Sequence, residues 1–585
     1  ISTTTPFIIP ATAGLYVNLP SNSVNRNILI GNNTNNNSDL LLNGKLTIAN
    51  GNVYVGRTGG TDANNNDIEY SSSGASAIEI SGGLLRVNGQ IRRNPSNAAG
   101  VLKYIQSGGT VIVNGQASNG INAKFEVVND GSEFTMTGGT LTIVRGNGGS
   151  TTPSSPFGDL YIRPQTGSVT GGTIVFDNGN TATQNYFLDA TIPLYNITVT
   201  GYSGRTSTLR LLANPLTVNG NMLINANSVL NSNNINITFN GNFINTPGAT
   251  GYVSATNLTT FSAATGSSYA GAQTLTGVTN FYDLVVTPGV SLTLNNPITV
   301  NRNLSILTGT LASEANAINV KGDFINNSSY TDNNSAGSGV ILNGTSLQKV
   351  SGTGSFARLT LNNGAGANVD SDITLSEDLT LTNGILNIKS NLLTLGVNSN
   401  IQGAPFSASK LIITNGVSGN GGLRKFFNTG ANPAFTFPLG VSGKYTPAIL
   451  TITSNSTVGY VKVNNINEQH PGVIDPDNAL DYYWSLQSSG LTNLSGNIVF
   501  SYLQEDVIGS QENNYLAARL EVPGITWTRT PGVNPATNSI TFNYSGTNNL
   551  GGEYTAGIFT AFPSNIPEYT SKSNGNWSDK TIWTQ

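Results

Sequence analysis

The densest run of side-chain oxygens in the sequence is Asp62-Ala63-Asn64-Asn65-Asn66-Asp67-Ile68-Glu69. Ca2+ takes about six to eight oxygen ligands, many of them carboxylates and amide carbonyls. Asp62, Asn64, Asn66, Asp67 and Glu69 could offer several of these from one loop. The run lacks the Gly and the distal Glu of an EF-hand loop, and its competing reading is a solvated, Asn-rich turn. Calcium is therefore the one cofactor the chain offers a place for. A second group follows the single histidine: His470 precedes Asp475-Pro476-Asp477-Asn478 and Asp481. A cation or an acid–base pair could be held there, but no patterned Ser or Cys makes His470 the base of a hydrolase triad. The plainer expectation is a turn whose Asp and Asn cap their own backbone. Glu505-Asp506 and Glu512 also adjoin turn residues and are expected in solvent.

Glycoside hydrolysis needs two carboxylates roughly 5–9.5 Å apart. With 30 Asp+Glu in 585 residues, most stretches carry one acid or none. Tyr195 and Tyr282 hold matching repeat positions and could stack on sugar rings, but Ala357 replaces them in the third copy. Trp484 and Trp527 lie on separate expected strands and are read as core. No catalytic residue is assigned. Absence of Cys excludes disulfides, thiolate metal sites and cysteine nucleophiles.

The elements that must position these groups are short strands. Only 10% of residues are charged, against about 25% in an ordinary soluble protein. A net charge of -4 without a clustered basic face speaks against nucleic acid or an anionic membrane surface as partner. No stretch approaches the ~20 apolar residues of a membrane span. Hydrophobic residues make up 37% and recur in short alternating runs, so the chain is expected to fold despite its Asn, Ser and Gly content.

Self-similarity organises the first part. Ile78-Glu79-Ile80-Ser81-Gly82-Gly83, Tyr104-Ile105-Gln106-Ser107-Gly108-Gly109 and Phe134-Thr135-Met136-Thr137-Gly138-Gly139 each lead into a second run, from Leu85, Val111 and Leu141. From about residue 170 a longer repeat takes over. Leu194-Tyr195-Asn196-Ile197 matches Phe281-Tyr282-Asp283-Leu284 and Phe356-Ala357-Arg358-Leu359; Leu216-Thr217-Val218 matches Ile298-Thr299-Val300 and Ile373-Thr374-Leu375. Phe243-Ile244-Asn245 matches Phe324-Ile325-Asn326. Strands that stack one repeat on the next predict a right-handed parallel β-helix, an elongated solenoid, over residues 1–420. Its short coils would occupy 1–170 and three longer repeats about 170–403. Asn-Gly pairs at strand ends, Asn43-Gly44, Asn88-Gly89, Asn114-Gly115, Asn219-Gly220, Asn240-Gly241 and Asn383-Gly384, are read as corners needing positive φ, with a two-residue hairpin as the competing reading. Residues 421–562 carry eight or nine longer strands between Gly, Pro and Asn turns, the pattern of an antiparallel β-sandwich. Residues 563–585 read as a Pro/Ser linker followed by the start of a next module.

The runs Asp378-Leu379-Thr380-Leu381-Thr382-Asn383-Gly384-Ile385-Leu386-Asn387-Ile388 and Phe435-Thr436-Phe437-Pro438-Leu439-Gly440, with Lys444-Tyr445-Thr446-Pro447, carry a resemblance. They resemble the large repetitive cell-surface proteins of Bacteroidetes, including gliding-motility adhesins exported by the type IX secretion system. In that family a G-N-W-x-D-x-x-x-W opening commonly begins a β-helical module, and Gly575-Asn576-Trp577-Ser578-Asp579-Lys580-Thr581-Ile582-Trp583 is similar to it. The resemblance implies a non-catalytic structural and adhesive module of a long extracellular filament. Its partners would be adjacent modules of the same chain and a surface polysaccharide or substratum. The alternatives are a carbohydrate-active β-helix enzyme, lyase or glycosidase-like, and a secreted carbohydrate-binding module.

Overall fold

The computed structural model describes residues 6–20, 26–31, 39–56, 66–71, 76–94, 98–116, 121–263, 272–287, 289–414, 416, 421–521, 526–562, 570–571 and 583–584. Strands and single 3-10 turns account for the regular structure, and no α-helix occurs among the described residues. The chain divides into two compact all-β units, Ile1–Asn319 and Val320–Gln585.

In the first unit each strand pairs in parallel with its equivalent one repeat further on. One column runs through Leu46, Ile78, Tyr104 and Phe134. A second runs through Val53, Leu85, Val111, Leu141, Ile174, Ile197, Met222 and Phe243. The third runs through Leu40, Ile68, Ile91, Phe125, Leu160 and Leu188. All of these side chains are buried. The Gly-Gly spacing seen in the sequence is thus the stacking register itself. Flanking residues in the first two columns are partly exposed, the period-two alternation of a strand with one wet face. Each buried Leu, Ile, Val or Phe contributes about 1.5–3 kcal/mol. Within this core Tyr104 stacks on Phe134 at 5.3 Å, and Phe125 meets Tyr104 edge-on at 5.1 Å.

The longer repeat has a structural counterpart in each unit. Leu194 bridges Val218, and Phe281 pairs with Val300 in the first unit; Phe356 bridges Leu375 in the second. Each matched opening residue therefore meets the last core residue of the strand matched after it. Asn245 and Asn326, also equivalent, are both fully buried: Asn245 donates to the carbonyls of Gly248 and Val278, Asn326 to that of Ser355.

The reading of the Asn-Gly pairs needs correction. Gly44, Gly89, Gly220 and Gly241 do not adopt positive φ; only Gly115 and Gly384 among these pairs do. A Cβ on Gly241 would stand 2.1 Å from the carbonyl oxygen of Gly220, and one on Gly44 2.1 Å from that of Ala13. Close approach of the neighbouring strand's corner, not backbone handedness, excludes a side chain.

In the second unit a parallel column links Phe324–Asn326, Gln348–Ser351, Ala367–Val369, Leu386–Lys389, Ile412–Thr414 and Leu439–Val441. Strand direction changes at Gly422–Phe427. One edge of this strand pairs in parallel with Leu392–Leu395, and the other runs antiparallel to Gly459–Ile466. The antiparallel sheet continues through Tyr483–Ser489, Gly552–Gly557, Leu516–Leu520 and Trp527–Thr530. A second antiparallel sheet joins Asn432–Phe437, Ala448–Ser454, Leu494–Ser501, Ser539–Thr547 and Val533–Asn534. Aromatic rings from the two sheets meet, Trp484 with Phe500 at 4.9 Å and Tyr554 with Phe542 at 4.9 Å. Parallel and antiparallel pairing thus meet on the one strand Gly422–Phe427. Of the expected linker, Thr570–Ser571 and Trp583–Thr584 form a short antiparallel pair; its remaining residues lie outside the described ones.

Candidate functional site

Of the calcium candidates, Asp62 and Asn64 lie outside the described residues, and Asn66, Asp67 and Glu69 are buried. Asp67 and Glu69 flank Ile68, which stacks on Ile91, so both carboxylates reach Arg92 of the next repeat. Arg92 Nε donates to Asp67 Oδ2 at 2.8 Å, and a terminal nitrogen donates to Glu69 Oε1 at 2.5 Å. Asp67 Oδ1 accepts the Gln90 backbone N–H at 2.6 Å, and Glu69 Oε2 accepts from Asn94 at 2.8 Å. These oxygens are directed at a guanidinium, a backbone N–H and a side-chain amide. Among the described residues no three His, Cys, Asp or Glu side chains stand together as a metal group.

The same column carries further buried charge. Arg93 donates to Glu126 Oε1 through both its backbone N–H and its Nε, each at 2.8 Å. Asp159 Oδ2 accepts the Phe187 N–H at 2.8 Å, and Arg163 pairs with Asp189. Burial pushes the Asp159 carboxyl up to about 7 despite the nearby Lys124, whose own pKa burial lowers. Burial likewise raises Asp39 and Glu69. A guanidinium shared by two carboxylates locks the stacking register, because removing either sign leaves a buried charge unpaired. The signal was readable as acidic and basic residues recurring at equivalent repeat positions: Glu69, Arg92 and Glu126.

Asn and Asp also act at the corners, which residue types alone did not reveal. The residue before a strand's first core position accepts, through its side chain, the N–H of its equivalent one repeat later. Asn196 accepts from Asn221 at 2.8 Å, Asn221 from Asn242 at 3.2 Å and Asn242 from Thr274 at 2.8 Å. In the second unit Asp323 accepts from Lys349, Asp372 from Leu392 and Asp378 from Asn400.

His470 is not joined to the Asp475 turn. Its Nδ1 accepts the Gly472 N–H at 2.9 Å, so Nε2 carries the proton and donates to Glu553 Oε2 at 2.6 Å. Its ring lies between Tyr483 and Trp527, each 4.8 Å away. Both nitrogens are engaged, which leaves none to activate a nucleophile. Asp475 accepts from the Asn478 side chain within its own turn. Asp506, expected in solvent, is buried: it caps the Leu503 N–H and accepts from Lys444 at 2.5 Å. Tyr282 is covered by Arg302, which pairs with Asp283, and so is not a free stacking platform.

A cleft lies on the outer face of the antiparallel sheet beginning at Gly422–Phe427, where alternate residues turn away from the core. Leu423, Val463 and Leu486 point inward and are buried. Between them Arg424, Lys462 and Gln487 form one cross-strand row, and Phe426, Tyr460 and Ser489 the next. A cleft of about 650 Å3 is lined by Tyr460, Ser485, Gln487, Asn549 and Glu553 among others. An adjoining one of about 480 Å3 is lined by Asp372, Ser390, Arg424, Lys462 and Gln487. Gln487 belongs to both. The Arg424 guanidinium stands over the Tyr460 ring at 4.5 Å, and Phe426 meets that ring at 5.4 Å. Burial lowers the Lys462 ammonium pKa, and the neighbouring Arg424 lowers it further. No protein-family model, curated protein or solved structure matches the chain.

Proposed function

We propose that this chain is a non-catalytic structural and adhesive module of an extracellular surface filament. In this reading a right-handed parallel β-helix is followed by an antiparallel β-sandwich, and adhesion or gliding at the cell surface is the role. The resemblance to Bacteroidetes adhesins exported by the type IX system supplies the localisation at the outer membrane and the partners, adjacent modules and a polysaccharide or substratum. The observation that carries it is the register. Strand after strand repeats the same core position, and side chains at the corners and in the buried ionic column tie each repeat to the next. Such a body resists extension because each repeat is held by both neighbours. Among the described residues no helix is long and apolar enough to cross a membrane.

Beads coated with the full chain should adhere under flow to polysaccharide- or protein-coated glass and release only at forces that leave the chain folded. Beads that adhere no better than albumin-coated controls on every surface would remove the adhesive reading. Turnover of neutral or acidic polysaccharides by the purified chain would replace it with the enzyme alternative.

A further inference from the structure

We propose that the open strand edges at the start of the first unit dock a second copy of this chain, edge to edge. The inference goes beyond the adhesive reading and does not rest on it.

Phe7–Ile9, Gly14–Asn18 and Asn27–Ile30 begin the three columns, ahead of Leu40, Leu46 and Val53. Among the described residues each of these strands pairs on one side only, with the next repeat. The Phe7 N–H donates to the Asp39 carbonyl at 2.8 Å, and the Ile9 carbonyl accepts from Asn43 at 2.9 Å, so both face the next repeat. Successive residues of a strand alternate, so the Ile8 N–H and carbonyl point the other way, off the edge. The core opens there as well. Phe7, Leu15 and Ile28 are half-buried, whereas Leu40, Leu46 and Val53, stacked on them, are fully buried. Ile8 and Tyr16 are 53% and 64% exposed.

Open strand edges are usually guarded by charge or proline. The antiparallel sheets follow that rule: the edge strand Asn432–Phe437 carries Pro433, and the edge strand Trp527–Thr530 carries Arg529. The three opening strands hold neither a charged residue nor a proline. Residues 1–38 contain one charged side chain, Arg26, and it donates to Asn50 of the next repeat. Three columns end together, and a single extended peptide would pair with one of them. A partner that meets all three must itself end in three strands. A second copy does, and a two-fold axis sets the edges antiparallel across the contact, with the same apolar residues on both sides. Neither edge carries charge, so two copies meet without repulsion. The contact continues the stacking that already joins each repeat to the next.

The test sediments the full 585-residue chain at about 1 and 100 μM, with amide exchange read by mass spectrometry on both samples. A dimer should form as concentration rises, and exchange over Phe7–Ile9 and Gly14–Asn18 should slow with it. I8K/Y16K puts like charges on both sides of the contact and should weaken the dimer roughly tenfold or more. I474K/F559K, at exposed apolar residues of the second unit, should leave the dimer intact. A melting curve like wild type for I8K/Y16K excludes misfolding as the cause; if that variant unfolds, the wild-type exchange measurement decides. A monomer at about 100 μM, assemblies larger than a dimer, or a dimer that I8K/Y16K forms as readily would overturn the proposal. So would a dimer lost in I474K/F559K instead. Exchange over Phe7–Ile9 that is already slow in the dilute monomer would also overturn it, because the chain itself would then cover the edge.

Discussion

Replacing Arg92 by Met tests the claim that buried ion pairs hold the repeat register. The Arg92 side chain is 3% exposed, and its partners Asp67 and Glu69 are 0% and 10% exposed. Breaking a buried pair by removing one partner costs about 3–5 kcal/mol. Asp67 keeps the Gln90 N–H and Glu69 keeps Asn94, so the lower end, about 3 kcal/mol, is expected. The cost must depend on pH. Burial already raises Glu69 above the usual carboxylate range, and Arg92 opposes that rise. Without Arg92 the folded pKa of the Glu69 carboxyl climbs further above its unfolded value. A raised carboxyl binds its proton more tightly in the folded state, so the cost is full at pH 8 and shrinks as pH falls towards 5. Amide exchange read by mass spectrometry over Ile68–Tyr70 and Ile91–Arg93 should quicken about 100-fold at pH 8. The 4 tryptophans all lie in the second unit, so their fluorescence serves as an internal control. R92M/D67N/E69Q should recover part of the loss, because neutral side chains cost less to bury. Unchanged exchange in R92M, or an equal loss at pH 5 and pH 8, would refute the reasoning.

Gly241→Ala should destabilise the first unit by several kcal/mol, since the new Cβ would meet a backbone oxygen at 2.1 Å, whereas Gly149→Ala, with open space and no positive φ, should stay within about 0.5 kcal/mol in thermal melts. Asn221→Ala should cost about 1 kcal/mol by removing the acceptor of the Asn242 N–H, and Asn221→Asp should keep it, both read by exchange at that amide. Asp159→Asn should flatten a pH trend: because Asp159 is raised to about 7, native stability should rise as pH falls from 8 towards 5, and the variant should lose that slope. Phe239→Asp should unfold its surroundings, since Phe239 is fully buried against Phe243 at 4.8 Å and Phe261 at 5.5 Å; an unchanged melt would refute its core placement.

Strand content and stacking register were legible because both rest on apolar periodicity. Ile78, Tyr104 and Phe134 announce themselves as equivalent by the Gly-Gly that follows each, and they stack. The role of the glycines before core strands is not legible in the same way. A residue type that permits positive φ also permits close approach, and the sequence does not separate the two uses at Gly44 or Gly241. Asp506 reads from the sequence as a solvated acid because its partner Lys444 is remote in sequence. The groove was hidden for the same reason, since Arg424, Lys462 and Gln487 become a row only after three strands are paired antiparallel.

The composition follows from the corners. A parallel strand stacked on its neighbour satisfies its own backbone along the strand, but the first N–H of each strand meets a bend where the ladder has stopped. These corners are part-buried in the first unit and exposed in the second, so a donor left without its partner there costs about 1 kcal/mol or less. A short side-chain acceptor one repeat earlier removes that cost, and Asn or Asp at the position before the strand has the reach to supply it. Asn196, Asn221, Asn242, Asp323, Asp372 and Asp378 all do so. Asn serves as well as Asp here, because the bond needs an oxygen and not a charge. A chain with many such corners can therefore be rich in Asn and poor in charge, and keep its few buried ions for the places where register must be enforced. The low charged fraction, 10%, is on this view a product of the architecture rather than a sign of disorder. Asn196→Asp and Asn221→Asp together would place two like charges on stacked repeats and should destabilise more than either alone, in a manner relieved by salt.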